Sequence, residues 1–98
     1  MKYKLVVRKE AENDLTSASQ WYENQRKGLG HDFLLCVDAK INTIIDNPRM
    51  YQNIYKNVKR ALIRKFPYGI FYLIDRNSIV ILAILHCRRS TLILEKRL

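Results

Sequence analysis

The sequence predicts an α+β fold in which an antiparallel helical hairpin covers one face of an antiparallel sheet, and three observations lead there. Two stretches of the first half, Glu10 to Lys27 and Leu29 to Ile45, repeat apolar residues at three-to-four spacing. The second half turns to β-rich runs separated by short polar turns. One of those runs, Ile79 to Leu85, is apolar at seven consecutive positions. That is too many for a strand with one wet face and too few for a membrane span.

Ile79 to Leu85 is therefore expected to be the central strand, covered on both sides. Burying each large side chain contributes ~1.5–3 kcal/mol before entropy is subtracted, so this segment offers roughly 10–20 kcal/mol of gross hydrophobic stabilisation. It ends in His86, Cys87, Arg88 and Arg89, which sets titratable and cationic groups at the edge of a rigid scaffold.

At 98 residues there is room for one domain, 1–98, with a single modest core. A composition of 48% hydrophobic and 28% charged residues argues against disorder. The first residues, MKYKLVVRKE, hold an apolar run far shorter than a secretory signal requires, so a cytoplasmic location is expected. Cys36 and Cys87 have no CxxC or Cys/His ligand spacing and read as reduced, structural thiols. The residue set calls for no metal and no cofactor.

The net charge is +9, and its placement says more than its size. Acids and bases balance between Met1 and Pro48. From Arg49 onward the only acids are Asp75 and Glu95, so the whole excess lies in the second half. Such a one-sided field suits a polyanionic partner, whether nucleic acid, the ribosome or an acidic peptide.

Taken in order, Tyr3 to Val7 is a short β-rich run with Lys2 and Lys4 beside it, which fits an edge strand. In the first helix, Glu10, Glu12 and Asp14 complement the macrodipole at the start, and Arg26 and Lys27 close it before Gly28. Its inward face is Ala11, Leu15, Ala18, Trp21, Tyr22 and the stem of Gln25, with the two aromatics read as core rather than as a stacking platform for bases. The second helix presents Leu29, Phe33, Leu34, Val37, Ile41, Ile44 and Ile45, and Asn47-Pro48 stops it. So short a link makes the two helices an antiparallel pair.

Tyr51 to Tyr55 fits either a turn or a short strand. Val58 to Lys65 alternates, with Val58, Arg60, Leu62 and Arg64 on one face and Lys59, Ala61, Ile63 and Lys65 on the other, a half-exposed strand bearing a basic patch. Phe66-Pro67 interrupts it. Tyr68 to Ile74 makes the next strand, and Asp75-Arg76-Asn77-Ser78 turns the chain into Ile79. After Arg89, STLILEKRL is a short helix or a loose tail, with Leu92, Leu94 and Leu98 as its apolar stripe.

The order of elements, together with WYENQRKGLG, NPRMY, VKRALIRKFPYGIFYLI and AILHCRRS, resembles the RelE/ParE family of bacterial type II toxin–antitoxin toxins. The run Arg60 to Tyr68 and the ending Leu85 to Arg89 are most similar to its ParE-like, plasmid stabilisation branch. The resemblance covers nearly the whole chain and implies a curled, mainly antiparallel sheet. It also implies a cytoplasmic toxin that inhibits growth and is neutralised by a cognate antitoxin protein, with a toxin–antitoxin hetero-oligomer as the inactive form.

Two chemistries run in the family. ParE-type members poison DNA gyrase without known nuclease activity, whereas RelE-type members cleave mRNA on the ribosome without a metal. Such cleavage needs cations for the charge developing on phosphorus and an acid for the leaving oxygen. Arg60, Arg64 and Arg88 are the candidate cations and His86 the candidate acid. Against the nuclease reading, Gly69 stands where those enzymes carry an arginine, and no tyrosine follows Tyr72. The ParE-like pattern is itself broken where Ser90-Thr91 replaces the usual Asp-Pro.

For target or antitoxin binding, the expected basic patch is Lys59, Arg60, Arg64, Lys65, Arg88 and Arg89. A partner antitoxin is expected to cover that surface or the outer side of the helical hairpin. A plain DNA-binding module is weaker, because no helix carries the positive charge.

Overall fold

In the computed structural model the described residues are 3–98, without the side chains of Ser90 and Thr91. The expectations for Lys2 and for the Ser90-Thr91 side chains lie outside them. The elements run β1 (Lys4–Val7), α1 (Lys9–Gln25), α2 (Leu29–Asp46), β2 (Asn53–Tyr55), β3 (Val58–Leu62), β4 (Tyr68–Asp75), β5 (Ser78–His86) and α3 (Ser90–Arg97). They form an α+β fold around one mixed, open sheet of order β1-β5-β4-β3-β2. β2 through β5 pair antiparallel in sequence, and β1 joins β5 in parallel.

Two expectations need adjustment here. β5 is an interior strand buried on both faces, but the middle of the sheet is β4, because β1 returns to pair beyond β5. α1 ends at Gln25, so Arg26 is its C-cap and Lys27 lies beyond the helix. The ambiguous segment before Val58 forms the short strand β2, and the tail folds as α3.

The apolar run of β5 serves two cores. Ile79, Ile81 and Ile84 pack under the helical hairpin with Ala11, Ala18, Phe33, Val37 and Ile44. Leu82, Ala83 and Leu85 pack on the other face with Val58, Phe71 and Leu94 of α3. Strict alternation would send Leu82 and Ala83 to opposite faces. The register shift between Phe71 and Tyr72 of β4 explains why it does not, since Phe71 pairs with Ala83 while Tyr72 pairs with Ile81. The extra residue Leu82 is a bulge that resets the phase of everything after it.

The hairpin packs closely because Gly30 lets it. A Cβ there would lie 2.4 Å from the backbone oxygen of Ser19, so only glycine allows α2 to cross α1 at this separation. Glu23 secures the junction, its carboxylate accepting from the N–H groups of Gly28 (2.9 Å) and Gly30 (3.0 Å). Those are early N–H groups of α2 that have no partner within the helix.

Candidate functional site

β1 is shorter than β5. Its last pairing is Val7 with Ile81, after which the N–H of Arg8 donates to Ile81 O and the chain enters α1. The edge of β5 beyond Ile81 is thus left without a neighbouring strand, and two side chains take its place. The Asp14 carboxylate of α1 accepts from the Ile84 N–H at 3.0 Å, and the Arg97 guanidinium of α3 donates to Leu82 O at 3.1 Å. The two close on each other through contacts of 2.7 and 3.1 Å. This pair, 83 positions apart in sequence, holds α1, the bulged edge and α3 together. Hydrogen bonding to Asp14 is the main reason that the Arg97 pKa is raised.

Above this clasp a cleft of about 870 Å³ opens between α1, the start of β4, the end of β5 and α3. Trp21, Tyr22, Tyr68, His86, Arg89 and Ile93 are among its walls. The expectation that both helix aromatics are core holds for Tyr22, which packs against Phe33 and Phe66. Trp21 departs from it. Positions 11, 15, 18 and 22 define the inward stripe of α1, so Trp21 falls on its flank, 57% exposed and edge-on to Tyr22 at 5.1 Å. Burial pushes the Tyr68 phenol up in pKa, and the charge of Arg89 opposes that rise.

His86 lies half-exposed at the end of β5, its ring 5.5 Å from Tyr68. Its Nδ1 accepts from the Arg88 N–H at 3.2 Å. Arg88 and Arg89 follow, both exposed. Arg64 and Lys65 reach the same end of the sheet by another route. They belong to the turn between β3 and β4, where the Ile63 N–H donates to Tyr68 O and the Cys87 N–H donates to Pro67 O. That corrects their placement on a strand face. β3 stops at Leu62 because the chain bends inward to bury Phe66 against Tyr22 and Phe33, with Lys65 at a φ of 72°.

Lys59 and Arg60 are not part of that group. Lys59 donates to Tyr51 O and Asn53 Oδ1, both at 3.0 Å, and so ties β3 to the segment around β2. Arg60 lies on the face of the sheet away from the helical hairpin. A Cβ added at Gly69 would meet Arg60 Cγ at 3.1 Å, Arg60 Cδ at 3.3 Å and the Phe71 ring at 3.3 Å. The arginine stem therefore rests over the glycine, and Arg60 lines a smaller groove with Met50, Ile54 and Leu62. His86 and Arg60 thus sit on opposite faces of the sheet. Among the described residues no three His, Cys, Asp or Glu side chains gather as metal ligands, and no helix is long and apolar enough to cross a membrane.

Sequence reasoning missed Asp14 and Arg97, which no local spacing links. It also missed the bulge, whose one signal is an apolar run that never alternates.

The sequence model of the family described as ParE toxin of type II toxin–antitoxin system, parDE, matches residues 5–91. Among solved structures, the chromosomal ParDE TA system from P. aeruginosa is similar, with a TM-score of 0.67 at 14% identity, covering 87% of this chain and 96% of that one. At that identity the likeness speaks for the fold. No curated protein matches the chain. With the family model spanning β1 through the start of α3, this chain belongs to the ParE toxin family of type II toxin–antitoxin systems.

Proposed function

We propose that the chain, acting as one toxin domain over 1–98, inhibits growth by binding DNA gyrase in the cytoplasm, without cleaving RNA, and that a cognate antitoxin protein neutralises it in a hetero-oligomer. The observation that supports binding over cleavage is that the sheet divides Arg60, one of the three candidate cations, from His86, while Arg64 and Arg88 lie at the end of the sheet that His86 occupies. A metal-free ribonuclease needs its cation and its acid on one phosphate, within hydrogen-bond reach. Here Gly69 supplies no side chain, and the arginine above it faces away from the imidazole. Gyrase as the target follows from the family resemblance. An antitoxin partner fits both the resemblance and the name of the P. aeruginosa system, and the charge excess of the second half would speed its association.

The test sets a gyrase supercoiling assay beside a ribosome-dependent mRNA cleavage assay, both with the purified chain. Inhibition of supercoiling, relieved by the product of the adjacent small gene, with intact mRNA, is the expected result. Cleavage of mRNA with no effect on gyrase would overturn the reading.

The second reading, a ribosome-dependent endoribonuclease of RelE type, is favoured by His86 and Arg89 sharing the cleft with Tyr68. It requires His86→Ala to lower cleavage by about two orders of magnitude or more, the scale of losing a general acid.

A further inference from the structure

Met50, Ile54 and Leu62 are 56%, 39% and 50% exposed, and together with Arg60 they line a groove of about 350 Å³ on the sheet face away from the hairpin. Three large apolar side chains at a single exposed site call for an explanation, because scattered exposure is ordinary but a contiguous patch is not. The guanidinium is also unusual. Its stem lies over Gly69, with Cγ and Cδ 3.1 and 3.3 Å from where a Cβ on that glycine would sit, so the stem uses the space that the missing side chain leaves. Among the described residues the only ion pair is Asp14–Arg97, which leaves Arg60 without a carboxylate. Arg49 and Lys56, close in sequence to Met50 and Ile54, are exposed.

We infer that this groove is the surface by which the chain grips its protein target, through a target segment that presents a carboxylate to Arg60 between apolar side chains that cover Met50, Ile54 and Leu62. An arginine whose stem is seated over a glycine, in a groove lined by methionine and aliphatic side chains, has the composition of a protein interface centre, where Arg and Met are enriched and lysine is depleted. A nucleic acid fits less well, since a phosphate on Arg60 would press Leu62 and Ile54 against a charged backbone. Gly69 takes on a role in this arrangement. A Cβ there would meet Arg60 Cγ at 3.1 Å and shift the stem by a few tenths of an ångström, so Gly69 positions the arginine without touching the partner.

This inference rests on the gyrase-binding reading, and the experiment separates the two. Binding of the full chain to purified DNA gyrase, and to naked DNA, is measured for the wild type and for Arg60→Glu, Leu62→Asp, Gly69→Ala and the distant charge control Arg26→Glu. Circular dichroism spectra and thermal melting confirm that each variant is folded. The expected result is a loss of gyrase affinity of at least 30-fold for Arg60→Glu and 10-fold for Leu62→Asp, a smaller loss for Gly69→Ala, and less than a two-fold change for Arg26→Glu. If the wild type binds gyrase and the folded groove variants bind it equally well, the groove is overturned and the gyrase reading stands. If the variants lose affinity for naked DNA instead, the protein-docking assignment is overturned. If the wild type does not bind gyrase at all, both fall together.

Discussion

Replacing Arg97 by alanine should destabilise the whole chain by about 2–3 kcal/mol, although the residue lies at its C-terminal end. The guanidinium makes two contacts with Asp14 and one with Leu82 O, and the two side chains are only 18% and 13% exposed. Breaking a fully buried pair by removing one partner costs about 3–5 kcal/mol, and a hydrogen bond to a charged group contributes about 1.5–3 kcal/mol. Residual solvent access at the clasp places the cost at the lower end, at about 2–3 kcal/mol. In a chain of this size each kcal/mol moves the melting temperature by about 4–8 °C, so the expected drop is roughly 8–24 °C. Because the folded Arg97 pKa is raised, its contribution is fully present below the ordinary guanidinium value and is lost only as pH rises through the raised one. The defect should therefore be the same from pH 5 to pH 9. Urea denaturation of Asp14→Ala, Arg97→Ala and the double variant should give a coupling energy of about 1–2 kcal/mol. Hydrogen exchange at the Ile84 amide should speed up in both Asp14→Ala and the double variant. Single variants within about 0.5 kcal/mol of the wild type, with Ile84 protection unchanged, would refute the view that side chains complete the sheet edge.

Other expectations follow from the same geometry. Tyr72→Phe removes the donor that reaches Pro48 O at 2.6 Å and should cost about 1–3 kcal/mol in urea denaturation, since it leaves a buried carbonyl unpaired. Burial pushes the Tyr72 phenol up to about 12 from its ordinary 10.0, so its stabilisation is complete below pH 10 and fades as pH climbs toward 12; Tyr72→Phe should lack that decline. Gly30→Ala should force the two helices apart and lower stability by at least about 1–3 kcal/mol, read as a shifted urea midpoint. The Glu23 carboxyl is held below its ordinary value of 4.5 by the Gly28 and then the Gly30 N–H groups. What it contributes is present above 4.5 and disappears as pH falls through the lowered value, and the Gly28 and Gly30 amide shifts should follow that titration in the wild type but not in Glu23→Gln.

Much of the architecture was legible because it is written in local period and punctuation. Three-to-four spacing marked α1 and α2, Asn47-Pro48 ended the second helix, and the polar turn from Asp75 to Ser78 set β5 against β4. The family pattern was equally legible, since it lies in contiguous stretches such as Arg60 to Tyr68. Period alone determined that β5 is buried on both faces, because seven apolar side chains leave no wet one. What it left undecided was the phase. Leu82 and Ala83 share a face only because β4 skips a residue opposite them, and that skip is a property of two strands together. The position of β5 in the sheet depended likewise on β1 returning in parallel from the far end of the chain.

The candidate site divides along the same line. Composition placed the charge excess in the second half, but alternation on an assumed strand could not see that Phe66 would pull the chain inward and carry Arg64 and Lys65 into a turn. Arg60 and His86 were grouped as cation and acid by residue type. Which side of the sheet each faces was settled by strand register, since Arg60 pairs with Phe71 and His86 with Tyr68, three positions apart on β4. The clasp of Asp14 and Arg97 had no sequence signal, for a physical reason. Each residue looks like a solvated charge on its own helix, and only where β1 stops short of β5 does an unpaired backbone edge exist for them to satisfy.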